Sequence, residues 1–272
     1  MLSYGCKYLF YSGGMAMSFF DKMFASVGIG AAKVDTILTN DRLIAGDEVS
    51  GKVVIQGGKV EQDIDEIYLK VITSYERERD DKKYREECVI GKYRLTERFT
   101  IGANEKKEVP FSFDLPIDTP VSYGKTRVWV ETGLDIKNAI DPSDRDYIDV
   151  HPSTLMSQLL NAVTDLGFRL REVDCEAAPH HLRRRLPFVQ EFEFVATKGE
   201  FRGRLDELEV VFLETNQDRM EILLQVDRRP TGLGSLFSEM LNLDETNLRL
   251  TVTAAEIHLI KEKLLQILRR HS

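Results

Sequence analysis

Hydrophobic residues recur at every second position in several short stretches of residues 34–151. Ile67, Leu69 and Val71 form one such run. A strand with this alternation buries one face and leaves the other in water. Turn-forming residues separate the runs, and no stretch between them has the length of a crossover helix. The pattern therefore predicts an antiparallel β-sandwich over residues 34–151.

The period of the pattern changes at residue 152. Leu155, Leu159 and Val163 lie on one face of a predicted helix that ends at Gly167. Glycine is common just past the C-terminus of a helix, because it adopts the left-handed conformation without strain. We therefore expect residues 152–167 to form a helical connector between two halves of the chain.

A second alternating region follows the connector. It predicts a second β-sandwich domain over residues 168–253. Thr253 and Glu256 have the spacing of a capping box and precede a helical apolar stripe. Residues 254–272 are therefore expected to form a C-terminal helix. The fold class is mainly β, with two sandwiches and short N-terminal, connector and C-terminal helices.

The N-terminal region divides into two parts. Residues 1–16 have neither the apolar core nor the cleavage site of a signal peptide, and we interpret them as a translated leader before a start at Met17. Residues 17–33 are expected to form an amphipathic helix with Phe19 and Phe20 on its apolar face. Docking on its own domain is one role for this helix, and contact with an oligomer partner or a membrane surface is the alternative.

Composition narrows the class of function. The chain has 272 residues, a net charge of −8 and 42% hydrophobic residues. This acidic balance argues against nucleic-acid binding, and no apolar run is long enough for integral membrane insertion. Cys6, Cys88 and Cys175 are widely spaced and form no metal or disulfide motif, which favours a cytoplasmic protein.

Two segments resemble the N-terminal β-sandwich of arrestin-like proteins, and a longer set of motifs is similar to one family. That family is the sporulation stage-zero control protein M family of spore-forming bacteria, which has arrestin-like architecture. The resemblance covers residues 17–272 and is strongest from 34 to 150. It rests on residues 18–20 (SFF), 46–51 (GDEVSG), 109–113 (VPFSF), 126–132 (TRVWVET), 135–136 (DI) and 141–148 (DPSDRDYI).

The resemblance implies two arrestin-like antiparallel β-sandwiches. It also implies a cytoplasmic regulatory protein that acts early in sporulation and touches the cell-division machinery. The family has no established catalytic residues, so the resemblance assigns none to this chain.

The sharpest local anomaly is a basic segment in an acidic protein. Arg183, Arg184 and Arg185 are consecutive, and His180 and His181 come shortly before them. The planar guanidinium group binds phosphate or carboxylate with two parallel hydrogen bonds. One hypothesis is that these arginines bind an acidic or phosphorylated protein, and the other is that they form an exposed linker paired with acids of the first domain.

A run of charges of both signs at residues 76–83 separates two strand patterns and is expected to form a solvated hairpin tip. Arg77 and Arg79 make this tip a candidate recognition element, because binding surfaces often lie on loops of a rigid sandwich.

The turn that contains Asp141, Asp144 and Asp146 is a weak candidate for a cation site. Hard cations need several converging oxygen ligands, and three carboxylates are present. The turn lacks the glycine and the final glutamate of a helix-loop-helix calcium loop. We therefore expect a structural turn that leads into a strand, and no bound metal.

These observations favour a non-enzymatic regulatory scaffold or adaptor that binds other proteins, without a cofactor or a catalytic residue. Two alternatives remain open: a metal-dependent enzyme that uses the acidic turn, and a membrane-surface regulator that uses the N-terminal helix. Open strand edges and apolar terminal helices also make a homodimer a hypothesis.

Overall fold

The computed structural model describes residues 32–271 except residues 81, 137–140 and 228–246, and for Asp227 it describes the backbone alone. The predicted leader, and Phe19 and Phe20 of the predicted N-terminal helix, lie outside the described residues. No helix in the described ranges is long and apolar enough to cross a membrane.

The first half of the described chain consists of strands joined by turns. One small sheet has the order β1-β3-β7, and the other strands of this half belong to a larger sheet. The strands are β1 (Lys33–Leu38), β2 (Arg42–Ile44), β3 (Glu48–Gln56), β4 (Gln62–Arg79), β5 (Lys82–Arg94), β6 (Phe99–Ile101), β7 (Lys106–Asp114), β8 (Val128–Ile136) and β9 (Ser143–His151).

The second half combines five strands with two α-helices in the part of the chain that is described. Its strands pair in sequence order, each antiparallel to the next. The elements are α1 (Thr154–Asp165), β10 (Phe168–Ala177), β11 (Phe188–Ala196), β12 (Glu207–Thr215), β13 (Arg219–Asp227), β14 (Asn247–Thr253), a single 3-10 turn (Ile257–Leu259) and α2 (Ile260–His271).

One long strand joins the two halves into a continuous sheet. Strand β4 pairs with β5 along one edge and with β8 along the other. Further along β4, past the residues that pair with β8, Glu76 pairs in parallel with Glu176 of β10. The larger sheet therefore runs β14-β13-β12-β11-β10-β4-β8-β9-β2, with β5 and β6 also on β4. It is mostly antiparallel, and its parallel pairings are β4 with β10 and β2 with β9.

The described chain has two main hydrophobic cores. The first fills the space between the small sheet and the larger one, and the second lies between strands β10 to β14 and helices α1 and α2. Cys175, Leu186 and Phe188 of the second half pack into the first core. The ring of Phe188 stacks on Tyr75 with 5.5 Å between centroids. The halves are therefore held together by apolar burial as well as by the shared sheet.

The mainly β fold class is confirmed. The predicted connector helix is present as α1: the Ser153 side chain accepts a hydrogen bond from Met156 N, and Gly167 follows with a φ of 100°. The prediction of a second β-sandwich is only partly correct, because the described strands of this half form one curled sheet whose apolar face is covered by helices. At the C-terminus, Thr253 Oγ1 bonds Glu256 Oε2 at 3.1 Å, and the α-helix begins only at Ile260, after the 3-10 turn.

Trp129 faces away from its neighbours Val128 and Val130 on β8, and its side chain is also buried. The guanidinium of Arg145 lies 4.5 Å from the centre of its ring and Tyr147 packs beside it, so strand β9 covers this face.

Candidate protein-binding cleft

A cleft of about 530 Å³ lies between the two halves. The first half contributes the turn between β2 and β3 and the segment after β7. The second half contributes the start of α1, the segment between β10 and β11, and the β12–β13 hairpin. Its apolar lining includes Ile44, Ile117, Leu155, Met156, Leu182, Leu186, Phe188, Val189, Phe212 and Leu213.

A glycine turn shapes the wall that the first half contributes. Gly46 has a φ of 95°, and its N–H donates to Leu115 O at 2.9 Å. The Cδ1 of Ile117 lies 3.2 Å from the point where a Cβ on this glycine would sit. Glycine therefore satisfies the backbone conformation and also leaves room for Ile117, which is 49% exposed and faces the cleft.

Two residues of the basic segment predicted from the sequence, Arg184 and Arg185, line this cleft, and Arg183 lies at its edge between the lining residues Leu182 and Arg184. Arg184 donates to Glu214 at 2.9 Å and to Glu221 at 2.7 Å, both in the second half. Arg185 reaches the first half, where Nε donates to Asp118 Oδ2 at 2.7 Å and Nη2 donates to Oδ1. The structure thus shows pairing with acids of both halves, whereas the linker hypothesis named acids of the first domain only.

Arg183 differs from its two neighbours. It is exposed, and it makes no side-chain ion pair with any residue that the structure describes. His180 and His181 are also exposed and lie in a turn in which Leu182 N and Arg183 N both donate to Pro179 O at 3.0 Å. Of the three arginines, Arg183 is therefore the one whose guanidinium is available without breaking a pair among the described residues.

The charge run at residues 76–83 forms the end of the long β4–β5 hairpin. Arg79 is opposite Lys82 in the register, so the strands continue to the tip. Arg77 donates to the hydroxyl of Tyr75 at 2.9 Å and lies 3.6 Å from Glu86. The predicted hairpin tip is confirmed. It is a separate surface, because neither Arg77 nor Arg79 lines the cleft.

The acidic turn does not bring its three carboxylates together. Asp141 Oδ1 accepts from Ile136 N at 3.0 Å, whereas Asp144 Oδ2 accepts from Thr36 N at 2.8 Å. Asp146 faces the same inter-sheet space as Asp144. Burial raises the pKa of Asp146 to about 7, and the charge of Asp144 and its hydrogen bond with Asp146 add to the effect. Asp144 and Asp146, both on β9, therefore form a carboxyl pair.

The thiols of the described residues are poor nucleophiles. Burial raises the pKa of Cys175 to about 12, and burial also raises the pKa of Cys88. Since the thiolate is the reactive form, neither residue offers a nucleophile near neutral pH.

Sequence reasoning missed a group of carboxylates on strands β11 and β12, on the face opposite the second hydrophobic core. One carboxylate oxygen each from Glu191, Glu193 and Glu209 lie within 4.8 Å of one another, and among the described residues this is the one such group of three. The alternating acids in β11 and β12 were a visible signal, but such a pattern is typical of a water-facing strand.

The fold and the cleft define a mainly β protein with an apolar cleft between its two halves. A match to the Spo0M family (SpoOM protein) covers residues 20–230. The chain is 48% identical over 241 residues to the sporulation-control protein spo0M of Bacillus subtilis strain 168. The alignment covers 89% of this chain and 93% of that protein.

A solved structure agrees with this result. The crystal structure of Spo0M, the sporulation control protein from Bacillus subtilis, superposes with a TM-score of 0.82 at 43% identity, over 90% of this chain and all of that one. The chain belongs to the Spo0M family, and its role is in sporulation control.

Proposed function

We propose that the chain regulates sporulation as a non-enzymatic adaptor in the cytoplasm, and that it binds a partner protein in the cleft between its halves. The observation that carries this proposal is the coincidence of an apolar cleft of about 530 Å³ with the arginine segment at its edge. Specific recognition sites combine an apolar floor with a few polar groups that fix orientation.

The chemistry of the edge indicates the kind of partner. Arg183 offers an unpaired guanidinium, and Arg184 and Arg185 hold carboxylates that a partner's acidic groups can replace. An acidic or phosphorylated segment with one or two apolar side chains suits this surface, because the guanidinium fork binds such groups bidentately. Contact with the cell-division machinery is one role such an adaptor serves.

The test is affinity capture of partners from sporulating cells of the organism that encodes this chain. Two variants target the cleft and its edge: Arg183→Glu reverses the charge of the exposed arginine beside the lining residue Arg184, and Ile117→Asp places a charge on the apolar wall. Matched controls lie on the β4–β5 hairpin: Arg79→Glu is the same reversal, and Val89→Asp alters an aliphatic residue that is also 49% exposed.

The proposal predicts that a partner retained by the wild type and by both hairpin variants is lost from both cleft variants. Loss from the hairpin variants alone would move the contact to the β5 edge and contradict the proposed cleft. If the wild type retains no specific protein, the adaptor function itself is wrong.

A further inference from the structure

Oxygen-bearing side chains form a row across strands β11 to β14, on the face of the larger sheet that is opposite the second hydrophobic core. Glu193 of β11 pairs with Glu209 of β12, Glu209 pairs with Gln225 of β13, and Gln225 pairs with Asn247 of β14. Glu191 is on the same face, two residues before Glu193, because side chains alternate along a strand. Opposite side chains in antiparallel strands start only about 5 Å apart, so each side chain in the row lies beside the next.

Burial distinguishes this row from an ordinary wet strand face. Glu191 is only 2% exposed, both of its carboxylate oxygens are buried, and its carboxyl group meets no hydrogen-bonding group among the described residues other than the carboxyl of Glu209. Burial, followed by the negative charge of Glu209, raises the pKa of Glu191 far above its usual range. A carboxylate in such a position needs either a proton or a positive partner.

The neighbouring basic side chains are engaged with other acids. Arg85 lies 2.9 Å from Asp174 on the strand beside Glu191. Arg171 donates twice to Glu193, at 3.0 and 2.7 Å, and both hydrogen bonds fall on Oε2. The Oε1 of Glu193 is therefore left for another ligand, and among the described residues neither arginine forms a hydrogen bond or an ion pair with Glu191.

Two amide oxygens in the row point to a cation more specifically than the carboxylates do. Gln225 is 4% exposed, and its Oε1 is buried without a partner, as is Oδ1 of Asn247. A proton shared between Glu191 and Glu209 would neutralise the carboxylates, but it would leave the oxygen of Gln225 without a donor. A cation would satisfy both kinds of oxygen.

We propose that Glu191, Glu193 and Glu209, together with Gln225, form a binding site for a hard divalent cation of the Ca²⁺, Mg²⁺ or Mn²⁺ class. The donor set contains only oxygen, which suits these ions better than zinc or copper. A cavity of about 90 Å³ beside Glu191 and Glu193 gives room for water ligands on that side of the site. Lys83 and Lys125 also line the cavity, and they are paired with Glu76 and Glu172.

This site is separate from the acidic turn considered from the sequence, and it assigns the chain a bound ion where the sequence predicted no cofactor. It is also independent of the proposed function, because partner capture at the cleft does not require the ion. The site lies on the face of the sheet opposite the second hydrophobic core, so an ion there would fasten β11, β12 and β13 to one another.

The test uses the purified full-length chain after treatment with EDTA. Ca²⁺, Mg²⁺ and Mn²⁺ are added separately at neutral pH, and thermal unfolding and titration calorimetry are measured. We expect at least one ion to raise the Tm by several degrees at saturation, since a ligand that binds only the folded state stabilises it. The calorimetric stoichiometry is expected to be one ion per chain.

Glu191→Gln keeps the shape of the side chain and removes its charge, so it is expected to fold and to lose the shift in Tm. Gln225→Leu is expected to weaken affinity by about tenfold, within the range seen when groups that support a metal site are removed. Glu97→Gln, at an exposed acid in the first half, should respond like the wild type. The proposal is overturned if no ion shifts the wild-type Tm, or if the shift persists in Glu191→Gln. An ion-insensitive wild type with a more stable Glu191→Gln variant would instead show a shared proton.

Discussion

The side chain of Gln190 pairs with both backbone groups of Val121. Val121 N donates to Gln190 Oε1 at 2.9 Å, and Gln190 Nε2 donates to Val121 O at 2.7 Å. Both residues are buried, and Gln190 Nε2 also donates to Thr126 Oγ1 at 3.1 Å. Gln190 lies near the start of β11 in the second half, whereas Val121 lies in the long loop between β7 and β8 of the first half. At this junction beside the cleft, the Gln190 side chain thus makes the two hydrogen bonds with Val121 that the backbone of a neighbouring strand would otherwise make.

Gln190→Leu is expected to lower the free energy of unfolding by about 1–3 kcal/mol, because it leaves the buried N–H of Val121 without a partner. The C=O of Val121 loses one of its two donors and keeps the other, Tyr123 N at 2.9 Å. Chemical denaturation measures the change. Gln217→Leu, at an exposed glutamine of the same cleft, should stay within about 0.5 kcal/mol of the wild type. Equal effects of the two substitutions would show that the junction does not depend on this pairing.

The bidentate pair of Arg185 and Asp118 bridges the halves at the edge of the cleft. Both side chains are partly exposed, so solvent weakens the attraction, and a double-mutant cycle with Ala is expected to give a coupling of about 0.5–1 kcal/mol. The exposed pair of Lys52 and Glu108, which meets through one hydrogen bond, should couple more weakly. Added salt should reduce both couplings. A coupling energy for Arg185 and Asp118 no larger than that for Lys52 and Glu108 would show that the Arg185–Asp118 pair does not hold the two halves together.

Gly124 and Gly203 both have positive φ values, 58° and 74°, but their surroundings differ. A Cβ on Gly124 would lie 2.4 Å from Val173 O, a backbone atom of the other half, whereas a Cβ on Gly203 would meet nothing within 4 Å. Alanine at Gly203 is expected to cost about 1 kcal/mol from the left-handed backbone alone. Alanine at Gly124 should cost clearly more. Thermal melts of the two variants test this, and equal losses would contradict the close approach of the halves.

The raised pKa of Asp146 makes stability depend on pH. The pKa of Asp146 is about 7 in the folded protein, whereas an ordinary aspartate has a pKa of 3.8, so the folded chain holds a proton that the unfolded chain releases in that interval. Stability from this group is therefore complete below about pH 4 and is lost as the pH rises towards 7. Asp146→Asn keeps a hydrogen-bond donor towards Asp144 and removes the charge. It is expected to raise the Tm above pH 7 and to have little effect in acid.

The control for this prediction is Asp41→Asn, at an exposed carboxyl near the same edge. Its Tm should follow the wild-type pH profile. A profile for Asp146→Asn that also runs parallel to the wild type would show that Asp146 is ionised in the folded protein throughout.

Much of the fold could be predicted because the strands have one apolar and one polar face. Ile67, Leu69 and Val71 alternate in the sequence and are fully buried on β4. The connector helix was also predictable, since its period differs from that of the strands and Gly167 marks its end. These signals are local, and they need no knowledge of which strands pair.

The cleft and the carboxylate row could not be predicted, because both depend on pairings between distant parts of the chain. The parallel contact of Glu76 with Glu176 has no local signal, yet it brings the two halves side by side. Glu191 is one of several alternating acids, and only the assembled sheet shows that it is buried. The arginine segment was identified from its composition, but its division into paired Arg184 and Arg185 and unpaired Arg183 needed the structure.

The most direct test of the central claim is the sporulation frequency of the organism that encodes this chain after its gene is replaced by variants. The account predicts that Arg183→Glu, with an unchanged Tm, alters sporulation as much as deletion of the gene does. The matched reversal Arg79→Glu should leave sporulation at the wild-type level. Wild-type sporulation with Arg183→Glu, or a defect confined to Arg79→Glu, would contradict the claim that the cleft is the surface through which this protein acts.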